Sequence, residues 1–233
     1  MKTMAEMSNK RFSVAIDGPS GAGKSTLAKA VAAKLDILYV DTGAIYRTIG
    51  CYVKEKGVHP RDNEAVIALL PQIHMEMRYA EDGLQHMLLN GKDVTSEIRQ
   101  NEISQYASDV SAIPEVRTFL LEMQRQLART NSVIMDGRDI GTVVLPDAEV
   151  KVFLTAPLAE RARRRFVELE QRGTPRPYED VLREMEQRDY NDSHRAAAPL
   201  RQAEDAVLLD TGELNFEESL DALLGIIRKK VRE

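Results

Sequence analysis

The chain has 233 residues, 43% of them hydrophobic and 30% charged, with a formal net charge of −5. That length supports one substantial α/β core with an appendage, and the acidic balance argues against a nonspecific nucleic-acid binder. No apolar run reaches membrane-spanning length, residues 1–10 lack the apolar middle of a secretion signal, and a single cysteine, Cys51, excludes an internal disulfide. A monomer in the cytoplasm is the expectation, with 1–10 a flexible extension. His59, His74, His86 and His194 are scattered without ligand spacing, which argues against structural zinc.

The first predicted strand, Phe12 to Ile16, runs into Gly18-Pro19-Ser20-Gly21-Ala22-Gly23-Lys24-Ser25-Thr26. These nine residues fit G-x-x-x-x-G-K-[ST], a loop whose backbone N–H groups wrap nucleotide phosphates. A helix-forming segment, Leu27 to Leu35, follows, so strand, glycine loop, lysine, hydroxyl and helix occur in the order phosphate binding requires. Glycines allow close backbone approach, Lys24 supplies a mobile positive charge, and Ser25 offers a hydroxyl to Mg²⁺.

Further buried strands are predicted at Leu38–Val40, Ser132–Met135, Val150–Leu154 and Ala206–Leu209, each followed by polar or helical sequence. This is the pattern of a P-loop-type parallel sheet flanked by helices. The interruption lies at 73–98, where Ile73–Tyr79 and part of Leu84–Leu89 alternate about a turn at 80–83, and Asn90-Gly91 adds another. The chain therefore divides into a core at 11–72 and 99–233, with a small antiparallel insertion at 73–98. A helix from Glu115 to Arg129 leads back to the core. The last helix runs from Phe216 to about Val231, with Asn215 as its cap and Leu220, Leu223, Leu224, Ile227 and Val231 as its inward face.

A phosphate loop serves switches, mechanical ATPases and small-molecule kinases alike, and three later segments favour a kinase. Asp41-Thr42-Gly43-Ala44-Ile45-Tyr46-Arg47 reads as a loop beyond the second strand, where such sheets bind ligands; Arg47 suits a phosphate and Tyr46 a base or sugar wall. Asp136-Gly137-Arg138-Asp139 follows the third strand. Asp136 can support Mg²⁺ through a water, and Arg138 can grip a phosphate. The third segment, about 160–195, is basic and helical, broken at Arg172-Gly173-Thr174-Pro175-Arg176-Pro177. It reads as a short helical lid whose arginines offset charge on a transferred phosphoryl group, with Arg163 expected beside that group. About half of its arginines are expected to pair with Glu160, Glu168, Glu170 or Glu184.

Taken together, these segments resemble the bacterial cytidylate kinases. The likeness rests on Ile16 to Thr26, Asp41 to Arg47, Asn90-Gly91-Lys92-Asp93-Val94, Glu97-Ile98-Arg99, Asp136 to Val144, Arg188-Asp189, Asp192 and Arg195 to Leu200. It implies transfer of the ATP γ-phosphoryl group to CMP and dCMP, with Mg²⁺, and no nucleic-acid or membrane partner. It also implies that Ser108, Arg117 and Asp139 read the cytosine edge, that Arg47, Arg138 and Arg195 clamp the acceptor phosphate, and that Arg188 with Asp192 holds the pentose. Tyr46 is expected to pack on the nucleotide, and Thr42 stands where some members carry serine. Lys24, Arg138, Arg163 and Asp136 form the expected catalytic set. The rival readings are a kinase for UMP or a small hydroxylated metabolite, and a nucleotide-gated switch.

Overall fold

The computed structural model describes residues 11–80 and 85–232. In chain order these form β1 (Ser13–Asp17), α1 (Lys24–Leu35), β2 (Leu38–Asp41), α2 (Thr42–Glu55), α3 (Asn63–Leu69), β3 (Met75–Tyr79), β4 (Gln85–Leu89) and β5 (Lys92–Asp93). There follow α4 (Asn101–Val110), α5 (Pro114–Thr130), β6 (Val133–Gly137), β7 (Val150–Thr155), α6 (Leu158–Gln171), α7 (Tyr178–His194), β8 (Val207–Asp210) and α8 (Phe216–Arg232).

Five strands make one sheet in the order β2-β6-β1-β7-β8. β1 runs parallel to β6 and β7, and β7 parallel to β8, as the short apolar runs lead one to expect. Val14, Ala15 and Ile16 have no exposed surface, the condition of a strand covered on both faces. Leu27, Val31 and Leu35 of α1 and Leu220, Leu223, Leu224 and Ile227 of α8 pack with Val14, Ile16, Val152 and Leu154 in one core cluster. The register sets Ile16 opposite Asp136 and Val152, so the carboxyl ends of β1 and β6 lie side by side.

The predicted antiparallel insertion forms as a three-stranded sheet in the order β3-β4-β5, with Met77 opposite Met87. β4 alternates cleanly, turning Gln85, Met87 and Leu89 inward. Most of the turn expected at 80–83 falls outside the described residues, as does the 1–10 extension. The described chain falls into two compact units, one over 11–39 and 128–232, the other over the described part of 40–127. The second unit thus takes in α2, α3, α4 and most of α5 as well as the small sheet.

The segment 41–47 is not a loop. Asp41 ends β2 and its Oδ1 accepts from Ala44 N at 2.9 Å, capping a helix that begins at once with Thr42. An aspartate at the cap position followed by small residues favours a direct strand-to-helix turn.

Between α6 and α7 the chain reverses at Gly173 (φ 71°). The Gly173 and Thr174 N–H groups close on the Glu170 and Leu169 carbonyls, a glycine C-terminal turn, and Ala162, Leu169, Val181 and Met185 pack between the two helices. Among the described residues, no helix is long and apolar enough to cross a membrane.

At the start of α8, Asn215 Oδ1 accepts from Glu218 N at 3.0 Å while Glu218 Oε2 accepts from Asn215 N at 2.9 Å. This reciprocal cap meets two backbone donors that the helix cannot satisfy internally. Asn215→Ala should lower the unfolding free energy by about 1 kcal/mol. A urea titration should show an earlier midpoint with an unchanged slope.

Candidate active site

In the first unit, β1 delivers the chain into the glycine loop with little conformational choice. Gly18 has φ 149°, and a Cβ there would lie 1.9 Å from the Leu154 carbonyl oxygen, so no side chain fits. Gly21 (φ 73°) meets Met185 of α7 and the Cβ of Arg161 of α6, and Gly23 (φ 90°) turns the chain into α1. Pro19 and Ala22 are buried in the loop, Ser20 is half-buried, and Thr26 is exposed on the first turn of the helix.

Lys24 is buried, and its Nζ donates to the Gly18 and Pro19 carbonyls at 2.8 and 2.7 Å. Burial, and secondarily Arg138, push its ammonium well below the usual lysine range. Ser25 Oγ donates to Asp136 Oδ2 at 2.7 Å, and Tyr39 OH donates to Asp136 Oδ1 at 2.9 Å. A hydroxyl and a carboxylate oxygen in contact are a hard donor pair that suits Mg²⁺, which takes few protein ligands and fills its shell with water and phosphate oxygens. No group of three or more His, Cys, Asp or Glu side chains that could cage an ion occurs among the described residues.

Downstream of β6, four charges cross-link. Arg138 Nε donates to Asp192 Oδ2 at 2.7 Å, and Arg195 Nη2 donates to Asp139 Oδ1 at 3.3 Å. Burial works against the charge on Arg138, yet Asp192 outweighs it and moves the guanidinium upward. Burial likewise opposes the charge of Asp192, but Arg138 and Arg188 hold its carboxyl below the usual range. Arg188 is thus in the field of Asp192.

The lid arginines sort by helix phase. Arg163 grips Glu160 through Nε and Nη2 at 2.9 and 2.8 Å, and its side chain is 63% exposed. Arg164 also reaches Glu160. The arginine that meets the phosphate loop is Arg161, buried, donating to the Ser20 carbonyl at 2.9 Å and the Ala156 carbonyl at 2.8 Å, and pairing with Asp189 at 2.6 Å. The two arginines differ for a simple reason. Arg161 has its Cβ beside the Gly21 turn, and Arg163, two positions on, points about 200° further round the helix.

Asp17, at the end of β1, accepts from Ile140 N and Gly141 N at 2.7 Å each, fixing the single π-type turn Ile140–Val144 that follows Asp139. Its only sequence signal is a charge closing the apolar run Val14–Ile16.

In the second unit, Arg47 of α2 donates Nη2 to Asp41 Oδ2 at 2.8 Å, while its Nε is buried and has no hydrogen-bond partner among the described residues. Thr42 is buried, and Tyr46 is half-buried with the Arg117 guanidinium 5.4 Å from its ring centroid. Arg117 Nη1 donates to the Ser111 carbonyl at 3.1 Å, and half-buried Ser108 receives the Ser111 hydroxyl on its carbonyl. The unit therefore gathers Tyr46, Ser108 and Arg117 around one region, while Asp139 belongs to the first unit.

The family model for cytidylate kinase matches residues 14–229. The chain belongs to the cytidylate kinase family. It is 48% identical over 223 residues to the cytidylate kinase of Caldicellulosiruptor bescii, covering 96% of this chain and 98% of that one. The cytidylate kinase of Flavobacterium johnsoniae is 44% identical over 227 residues, covering 96% and 99%. Among solved structures, an uncharacterized protein from Eubacterium ventriosum superimposes with a TM-score of 0.53 at 13% identity over 94% of this chain and 99% of that one, a likeness of fold alone.

In this cytidylate kinase family member, burial raises the Asp17 carboxyl to about 6 against the two N–H bonds it accepts. The unfolded carboxyl loses its proton near 3.8, whereas the folded one keeps it to about 6. The folded state thus binds more protons across that window, and Asp17 stabilises progressively less as pH rises through it. Relative to Asp17→Asn, the wild-type unfolding free energy should fall by about 2 kcal/mol between pH 4 and 7 and stay level above. Urea titrations of both proteins at four pH values check this.

Proposed function

We propose that the protein carries out the reaction of its family, ATP + CMP or dCMP giving ADP + CDP or dCDP. What carries the reading is the family match across 14–229 together with a phosphate loop whose lysine, hydroxyl and Asp136 are all in register. The antiparallel insertion at 73–98 and the charged cluster after β6 agree with a kinase whose acceptor is itself a phosphate.

The acceptor phosphate oxygen is anionic near neutral pH and attacks the γ-phosphorus in line, so no strong general base is needed. What the chain supplies is alignment and charge compensation. Backbone N–H groups from Ser20 to Ser25 hold the donor phosphates with Lys24. That lysine is poised to meet them, because the negative charge of an arriving triphosphate reverses the penalty that burial places on its ammonium. Ser25, and Asp136 through a water, would hold Mg²⁺, which would offset the negative charge of the phosphates.

Arg47, Arg138 and Arg195 take the acceptor phosphate. Each is now occupied by a carboxylate or a carbonyl that a phosphate oxygen can replace. Arg161, rather than Arg163, serves as the lid arginine at the loop. Arg188 and Asp192 take the pentose, Tyr46 packs against the nucleotide, and Thr42 lies beside it. Ser108, Arg117 and Asp139 read cytosine: the guanidinium donates to the ring carbonyl and nitrogen, and the carboxylate accepts from the exocyclic amine.

Initial rates with ATP against CMP, dCMP, UMP, AMP, dTMP and shikimate test the reading directly; CMP and dCMP should lead, and a panel led by UMP or shikimate would replace it. Lys24→Ala should lower kcat by about 100-fold or more with the thermal midpoint retained. Near-normal turnover would remove the loop from the chemistry. Asp139→Asn, which turns an acceptor into a side chain that also donates, should reduce the ratio of kcat/KM for CMP over UMP by about tenfold or more. The ratio is read from paired steady-state assays.

A further inference from the structure

Gln85 is a buried polar residue at the head of β4, in a strand whose other inward positions are Met87 and Leu89. Its carboxamide pairs with the main chain of a single residue. Gln85 Oε1 accepts from Asp41 N at 2.8 Å, and Nε2 donates to the Asp41 carbonyl at 3.3 Å. The same Nε2 also meets Met87 Sδ at 3.2 Å. The orientation of the amide is therefore set: turned over, it would bring NH₂ against the Asp41 N–H. The side chain acts as a two-bond stand-in for a neighbouring strand at the point where β2 ends.

Asp41 is the residue whose carboxylate caps α2 through Ala44 N and holds Arg47 through Oδ2. Gly43 packs into the same corner, where a Cβ would sit 3.0 Å from Arg47 Nη1 and 3.1 Å from Asp41 Oδ1. Main chain, cap and guanidinium are thus set as one unit, and Gln85 is its link to the small antiparallel sheet.

We infer that Gln85 is a positioning residue for the acceptor nucleotide: by clamping the Asp41 backbone it fixes the direction in which α2 presents Arg47. The inference rests on the assignment of Arg47 to the acceptor phosphate and adds the group that aims it. Loss of the amide leaves the Asp41 N–H and carbonyl without these partners and lets the cap and Arg47 drift together. An interaction about one ångström out of place is enough to weaken a phosphate contact many-fold.

The test is a double-mutant cycle on the full chain, with KM for CMP, KM for ATP, kcat and the thermal midpoint measured for wild type, Gln85→Met, Arg47→Ala and the double variant. Methionine keeps the length of glutamine and removes the amide. Gln85→Met should raise KM for CMP by about tenfold and leave KM for ATP within about twofold. Added to Arg47→Ala, it should raise KM for CMP by no more than about twofold, because the group it aims is already gone. A role confined to stability would lower the midpoint and kcat while leaving both KM values in place, and that result overturns the inference. So does a rise in KM for CMP of equal factor with and without Arg47, which would show that Gln85 acts by another route. If Arg47→Ala alone leaves KM for CMP unchanged, the phosphate assignment itself falls and this inference with it. Should Gln85→Met not fold, Gln85→Glu, which keeps the bond from Asp41 N, is read on the same constants by the same criteria.

Discussion

A charge inside a protein needs an opposite charge close by, and most of the chemistry-bearing part of this molecule follows from that requirement. Arg138, Asp139, Asp192 and Arg195 have side chains no more than 18% exposed, and they persist there as Arg138–Asp192 and Arg195–Asp139 pairs. Each carboxylate holds a guanidinium extended and directed. Under the assignment proposed above, a phosphate taking over one of these contacts would exchange one anionic oxygen for another, and little would have to be reorganised. The same logic applies to Lys24, folded on the Gly18 and Pro19 carbonyls, and to Arg47 on Asp41. In each unit the cations are thus held against internal acceptors.

Glycine geometry supplies the complementary half. The loop can present N–H groups to a phosphate only if its backbone enters regions closed to side chains, and Gly18 does so hard against the Leu154 carbonyl. β7, which carries Leu154, is also the strand that pairs with β1, so the sheet that buries the apolar core also dictates the shape of the loop. Packing and chemistry share one constraint here: strand spacing leaves no room for a Cβ.

What the sequence makes legible is what repeats or what is chemically singular. Five short apolar runs locate the parallel sheet, alternation locates the small antiparallel one, and the spacing of glycines, lysine and serine locates the phosphate loop. Three things are hidden, each for a definite reason. The segment 41–47 reads as a loop because Asp, Thr and Gly are common in turns; Asp41 instead caps a helix, a distinction that depends on its φ and ψ rather than on composition. Four arginines between 161 and 165 are indistinguishable by type, and what sets Arg161 apart is its contact with the Ser20 carbonyl and Asp189, groups distant in sequence. Asp17 and Gln85 act on main-chain groups distant in sequence, which leave no local spacing to read. A signal does exist for each: a charge closing an apolar run, and a polar residue at an inward position of an alternating strand.

The choice of glutamine at that inward position has a physical rationale. The Asp41 carboxylate is fully committed, one oxygen to the Ala44 N–H and the other to Arg47. A cationic anchor on β4 would compete with Arg47 for that carboxylate, and an anionic one would repel it at close range. A hydroxyl is too short to span both an N–H and a carbonyl of the same residue. A neutral amide with one acceptor and two donors can bind the backbone on both sides and leave the carboxylate untouched. The polar interior position is therefore the arrangement that fixes Asp41 without disturbing the electrostatic balance through which Asp41 holds Arg47.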